Sequence, residues 1–378
     1  MCPMACDIAI VGGGPAGAYL AYCLAQNSIY ATIYDDSHPR EKPCGGGVSP
    51  FALNRFPLLK GVPCSSRFVD KAMVISPKGR EAMLSVKTGM VVSREHLDEY
   101  LLQKAIDSGA KLIEERVTGI EEEANGWVIR TRSREYRAWL IVGADGVSSL
   151  VRRTIVGPIP RENLAACIGY FARDVERDYC VMRFLKGLDG YAWIFPREGH
   201  SSIGVALDVR QAKALTDYLD AFIEGYCPNM ERISRFGALV PAIRDPSFYA
   251  IPCSGKNWIL VGDAAGHVDP ILLEGIRYAI WSAELAAEAI TDEDPAKFNV
   301  LWRNAYHRDL VQACRLAKLW YNPSMLELMV MMASRSGAFE QIMAGLMERE
   351  QPYRSLLGGM LTSLPRIVLD VTLSLLRR

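Results

Sequence analysis

Apolar and polar residues follow three rhythms along this chain. Short strand-like runs that lead into glycine occur at Cys6-Asp7-Ile8-Ala9-Ile10-Val11, apolar after Asp7, and, without a polar break, at Leu140-Ile141-Val142-Gly143 and Trp258-Ile259-Leu260-Val261. Such runs fit strands buried on both faces of a parallel sheet. Helical stretches rich in small residues follow two of them, Ala16 to Gln26 and Ile276 to Ile290, and a further strand is expected from about Ser28 to Tyr34. The middle of the chain changes to period two. In Gly190-Tyr191-Ala192-Trp193-Ile194-Phe195-Pro196 the three aromatic residues share one strand face, and the turn at Glu198-Gly199 leads into a return strand through Val205. That face fits plain sheet core or one wall of a long apolar cavity. From Lys297 onward the pattern is helical, with Pro323 and Pro352 as breaks. The predicted class is α/β: a parallel-sheet domain, an α+β second domain built on an antiparallel sheet, and a C-terminal helical cap.

Composition narrows the function. A chain of 378 residues predicts two or three domains, and 50% hydrophobic with 23% charged residues marks a globular protein. The 43 Lys and Arg balance the 43 Asp and Glu, which argues against a nucleic-acid partner. The ten cysteines form no C-x-x-C pair and no cluster at zinc or iron–sulfur spacing, so no metal site is predicted and free thiols in a reducing cytoplasm are expected. No signal peptide and no uninterrupted spanning segment is read.

Gly12-Gly13-Gly14-Pro15-Ala16-Gly17 joins the first strand to the first helix, and Asp35-Asp36 closes the second strand. A lone G-x-G-x-x-G is weak, but here strand, helix, strand and acid all stand in order. Gly12 permits the tight turn, Gly14 lets the backbone approach a pyrophosphate, and Gly17 allows close packing of helix on strand. Pro15 and Ala16 open the helix, whose N-terminus attracts phosphate. Asp35 can accept from a ribose. This much leaves FAD and NAD equally open.

Two later stretches choose between them. Ala144-Asp145-Gly146-Val147-Ser148-Ser149 follows one buried strand, and Gly262-Asp263-Ala264-Ala265-Gly266 follows another, continuing through Pro270 to Glu274-Gly275-Ile276. Either alone also fits a strand ending in a polar turn. Together with the first motif they resemble the FAD-binding pattern of para-hydroxybenzoate hydroxylase-like flavoproteins. The resemblance implies a Rossmann-like FAD domain in which Asp263 holds the ribityl chain and Asp145-Gly146 lies towards the pyrophosphate. It places the Pro270–Gly275 loop and the N-terminus at Ile276 beside the flavin ring, with Arg94 and Val117 among the further FAD contacts. Leu272-Leu273 departs from the glycine-containing form of that loop. A solvated arginine is the plain alternative for Arg94.

No second G-x-G-x-x-G follows a strand, so electrons must come from transiently bound NAD(P)H or a ferredoxin-type donor. Only Cys314 lies beyond residue 260, which removes an iron–sulfur role. The Tyr191-x-Trp193-x-Phe195-Pro196 pattern resembles the geranylgeranyl reductase family, as does Lys42-Pro43-Cys44-Gly45-Gly46-Gly47-Val48. The resemblance implies reduction of isolated C=C bonds of a prenyl chain on a lipid, chlorophyll precursor or quinone. It makes Cys44, Tyr191 and Trp193 the candidate catalytic residues. Arg40, Cys44, Gly45 and Gly46 join the expected FAD contacts, and Gly47, Val48, Phe195 and Pro196 the substrate pocket. The Cys44 loop also fits a flexible turn with an incidental thiol. An aromatic monooxygenase on the same fold is the competing enzyme, and a lipid-binding electron carrier the non-enzymatic alternative. The expected FAD domain comprises residues 1–60, 95–155 and 250–295. The substrate domain comprises 61–94 and 156–249, its sheet lying over the flavin, and the helical region 296–378. The apolar tail from Leu356 to Leu376, interrupted by Arg366 and Asp370 and followed by Arg377-Arg378, could lie on a membrane surface, cap a tunnel, or pack on its own domain or a partner subunit.

Overall fold

The computed structural model describes residues 8–63, 66–175, 177–348 and 352–376, so Cys6-Asp7 at the first strand and Arg377-Arg378 at the tail fall outside it. Two compact units emerge, each assembled from three chain segments. The first holds residues 1–42, 94–163 and 240–311, and the second holds 43–93, 164–239 and 312–378.

In the first unit five parallel strands run in the order Trp258–Leu260, Leu140–Gly143, Ile8–Val11, Ala31–Tyr34 and Lys111–Ile113. Ile10, Ile33, Leu140, Ile141, Val142, Ile259 and Leu260 are wholly buried, each contributing roughly 1.5–3 kcal/mol of burial. This explains the lack of alternation in their sequence. Helix Pro15–Gln26 packs against both Arg94–Asp107 and Ile276–Thr291. The second strand starts at Ala31, later than the pattern suggests. Ser28 adopts a left-handed φ of 59° and closes the preceding helix, with Ile29 N–H bonded to the Leu24 carbonyl. A three-stranded antiparallel sheet, Gly119–Glu123, Gly126–Arg130 and Glu135–Ala138, completes this unit.

The second unit is built on an eight-stranded sheet whose centre is the hairpin Gly190–Pro196 and Ser201–Asp208. Ala192 and Ile194 point to a core that also holds Leu215, Leu219, Phe222 and Ile223 of helix Leu215–Tyr226. Tyr191, Trp193 and Phe195 therefore occupy the opposite face. The helices Pro323–Ala333 and Gly337–Glu348 pack on the long strand Glu81–Val92. Glu340 and Glu348 accept from the N–H groups of Ser85 and Lys87 on that strand, and Glu327 from that of Lys78, each at 2.6 Å. Pro323 begins its helix under an Asn322 cap, as a proline at the first helical position does.

Candidate functional site

The glycine turn stands at the carboxyl end of the central strand, where the chain proceeds to Ala31–Tyr34 on one side of it while Leu140–Gly143 lies on the other. Doubly wound sheets bind dinucleotides at such a reversal. Gly12 has a φ of +107°, and a Cβ there would lie 2.4 Å from the Ala144 carbonyl oxygen. At Gly17 it would lie 1.9 Å from the Gly12 carbonyl oxygen. Only glycine lets these segments close up. Gly14 caps the helix and Pro15 starts it, leaving first-turn N–H groups such as those of Ala16 and Gly17 without an intrahelical acceptor. This is a cradle that fits a pyrophosphate.

Asp35 lies beside the cradle and is mostly buried. Its carboxylate accepts from Gly13 N–H at 2.7 Å, Ser37 N–H at 2.6 Å, the Ser37 hydroxyl at 2.9 Å, His38 N–H at 2.9 Å, and His38 Nδ1 at 2.8 Å. Burial pushes this carboxyl up, but His38 and the backbone donors outweigh it and hold it well below the usual carboxylate range. Asp36 faces Arg116 at the surface, Arg40 is exposed, and Val117 is buried before the small sheet. Arg94 is buried, forming a fork with Asp98 at 2.9 and 2.8 Å. It is not the solvated arginine that its sequence also allowed.

Asp145 is occupied within the protein. It accepts from the Ser149 hydroxyl and from the N–H groups of Leu150 and Val151, and so joins Ser149, the N-cap that accepts from Arg152 N–H, in capping the helix Leu150–Ile155. Burial raises its carboxyl against the pull of those bonds. At Gly146, with a φ of +77°, an added Cβ would meet nothing within 4 Å, so open space lies beside the turn. Arg152, from the same helix, donates to the Ala264 carbonyl and ties the two acidic turns together.

Gly262 at φ +57° packs against Ala16 and Ala279, and its N–H is held by buried Ser282. This brings Asp263 to the start of helix Ile276–Thr291: a Cβ on Gly275 would lie 3.1 Å from Asp263 Oδ1. Lys42 Nζ approaches the other carboxylate oxygen at 3.4 Å. Beside the buried Pro270, Asp269 accepts from Ile271 and Leu272 N–H, and Glu274 pairs with Arg277. Leu273 has a φ of 55°, so the loop keeps a left-handed residue where the sequence departs from glycine.

In the second unit, two motifs some 150 residues apart in sequence meet. The Cys44 carbonyl accepts from Arg197 Nη2 at 2.7 Å and from the Ser202 hydroxyl at 2.9 Å, and Trp193 Nε1 donates to Ser202 at 3.1 Å. Gly46 N–H reaches Cys44 Sγ at 3.2 Å. Gly45 and Gly47 lie on the Phe195 ring, where a Cβ would sit 2.6 and 3.2 Å away. Gly47–Val48 then pairs with the strand Glu81–Val92. Trp193 stacks on Phe236 and meets Tyr191 edge-on, both at 6.2 Å between centroids, and Pro196 is buried at the end of the strand. Sequence reasoning missed His38, Asp98 and Ser202. Only Asp98 carries a local signal, since it stands one helical turn after Arg94.

The first unit has the glycine turn, the acid-ended second strand and the two acidic turns of an FAD-dependent oxidoreductase, and the second has the curled antiparallel sheet that accompanies them. Solved structures share this fold. A geranylgeranyl bacteriochlorophyll reductase-like protein of Thermoplasma acidophilum matches with a TM-score of 0.77 and 24% identity, over 94% of this chain and 98% of that one. A mutant of the halogenase PltM in complex with FAD matches at 0.67 and 15% identity, over 93% and 85%. Geranylgeranyl diphosphate reductase of Rhodobacter capsulatus is 31% identical over 307 residues, 75% of this chain and 74% of that protein. Digeranylgeranylglycerophospholipid reductase of Methanoculleus marisnigri is 27% identical over 307 residues, 75% of each. No protein-family model matches. The chain belongs to the geranylgeranyl reductase family, and it is an FAD-dependent reductase.

Proposed function

We propose that this reductase saturates isolated C=C bonds in the prenyl chain of a lipid, chlorophyll precursor or quinone. One observation carries the reading: the Cys44–Gly47 loop is fastened to the aromatic hairpin by Ser202 and Arg197. A trisubstituted alkene has no carbonyl to polarise it, so reduction needs a proton at the less substituted carbon as well as a hydride. FAD, when bound and reduced by the electron donor, would supply the hydride and return to its oxidised form. Cys44 supplies the proton, and the Gly46 N–H fixes where its sulfur sits. Trp193 spends its N–H on Ser202 and offers the alkene only a π face, which with Tyr191 tolerates developing positive charge. Phe195, Pro196, Gly47 and Val48 extend the apolar wall.

Cofactor binding is assigned to the first unit. Gly12, Gly14, Pro15, Ala16 and Gly17 take the pyrophosphate, Asp35 the ribose and Asp263 the ribityl chain. Gly146, Pro270, Glu274, Gly275 and Ile276 line the cofactor, and Arg94 contacts it. Electrons arrive from NAD(P)H or a ferredoxin-type protein. No helix among the described residues is long and apolar enough to cross a membrane. The helix Leu356–Leu376 nevertheless exposes Leu361, Leu364, Val368, Leu369, Leu373 and Leu376, and we assign this face to a lipid surface that holds the substrate.

The test is anaerobic incubation of dithionite-reduced protein with geranylgeranyl diphosphate. Mass spectrometry should find product heavier by two hydrogens for each bond reduced. Unchanged prenyl chain, with oxygen inserted into a phenol once air is admitted, overturns the reading in favour of a monooxygenase.

A further inference from the structure

Two cofactor-binding segments of the first unit, the glycine turn with Asp35 and the helix opened by Arg94, are some sixty residues apart in sequence, and one side chain spans them. His38 Nδ1 lies 2.8 Å from Asp35 Oδ2, and its Nε2 lies 3.4 Å from Asp98 Oδ2. Asp98 is fully buried and grips Arg94 through both carboxylate oxygens. The imidazole also stands against the glycine turn, since a Cβ on Gly14 would sit 3.4 Å from Nε2. Both ring nitrogens thus face carboxylate oxygens, Nδ1 at hydrogen-bond distance and Nε2 at ion-pair distance.

We infer that His38 is a cofactor-positioning residue: by bridging Asp35 and Asp98 it makes the ribose-binding acid and Arg94 hold FAD as one unit. Asp35 has two oxygens and must keep one orientation to receive a ribose hydroxyl. His38 anchors Oδ2 through its ring and Oδ1 through its backbone N–H, so both oxygens are fixed by the same residue. Arg94 in turn cannot swing without dragging Asp98 off Nε2. Groups in one hydrogen-bonded network are expected to couple, and distant ones to act independently.

The inference rests on Asp35 and Arg94 as FAD contacts and not on any prenyl substrate. The readout is the rate at which FAD leaves the holoenzyme, followed by the fluorescence of released flavin. D35N and R94A should each speed release, which tests the contacts themselves. With His38 present their combined effect should differ from the product of the single effects by about five-fold or more; in an H38A background the two should multiply. H38Q, which keeps one donor, should fall between H38A and the native protein. Multiplicative effects in the presence of His38, or native release from H38A, overturn the proposal. If H38A fails to fold, isosteric D98N reads the same link, and native release from D98N overturns it equally. Prenyl reduction can fail while this coupling holds, and the coupling can fail while reduction proceeds.

Discussion

Gly14 and Gly17 differ in what a methyl group would meet. Gly14 has a φ of −69°, which alanine accepts, and its added Cβ would make an ordinary contact with His38. At Gly17 the same atom would sit 1.9 Å from a backbone oxygen. G14A should therefore keep the native melting temperature yet lose FAD affinity about ten-fold, because only the approach of the pyrophosphate is obstructed. G17A should lower both. Thermal melts paired with flavin release separate the two. His267 supplies a second prediction. It is wholly buried, with Tyr306 Oη 3.0 Å from Nδ1 and Cys253 Sγ 3.8 Å from Nε2. Burial, then the nearby Arg152 and Arg303, push it down to about 3. The unfolded chain takes up that proton near pH 6.5 while the folded chain does not, so its contribution to stability is present above about pH 6.5 and is lost as pH falls towards 3. Between pH 7 and 5 the loss should be about 2 kcal/mol. Denaturant titration of H267Q at both values should show that part of the slope removed.

Elements were legible where their signals are local. The strand–glycine–helix unit at Ile8 to Gln26 and the alternation at Tyr191, Trp193 and Phe195 each lie within one short window, and both formed as expected. The contacts that organise the site join distant windows: Ser202 to Cys44, and His38 to Asp98. Hydrophobic period carries no information about which polar side chain will meet which carbonyl, so these remained hidden. Asp145 shows the converse, a motif residue whose position was legible while its carboxylate is spent on capping. The C-terminal helix is the element with the most distinctive surface. Ile367 is buried and Ser336 holds Asp370, while six large apolar side chains on the remaining surface are exposed. Exposed Arg366 suits an anionic bilayer. The native protein should co-sediment with phosphatidylglycerol-rich vesicles. L361S/L364S/V368S should abolish that while leaving FAD content unchanged; loss of self-association without any native vesicle binding would instead assign the face to a second copy.

At the scale of the whole molecule, the proposed function assigns nucleotide grip to residues of the first unit and proton supply to Cys44 of the second, so their variants should separate accordingly. C44A should retain FAD, since the cradle at Gly12–Gly17 and the Asp263 turn belong to the first unit, yet it should lose at least about a hundred-fold in prenyl reduction, the scale of a positioned acid. C44S keeps an O–H of different acidity and should retain part of the rate. S202A removes one of two donors from the Cys44 carbonyl while Arg197 keeps the other. Its rate should fall less than that of C44A, with the deficit in turnover and not in substrate affinity. The measurement is single-turnover oxidation of the reduced protein by geranylgeranyl diphosphate, with FAD content determined beside it. Native turnover in both Cys44 variants would remove the thiol from the chemistry and leave proton supply to a water in the glycine loop. Loss of FAD along with rate would instead make the loop part of the cofactor's grip.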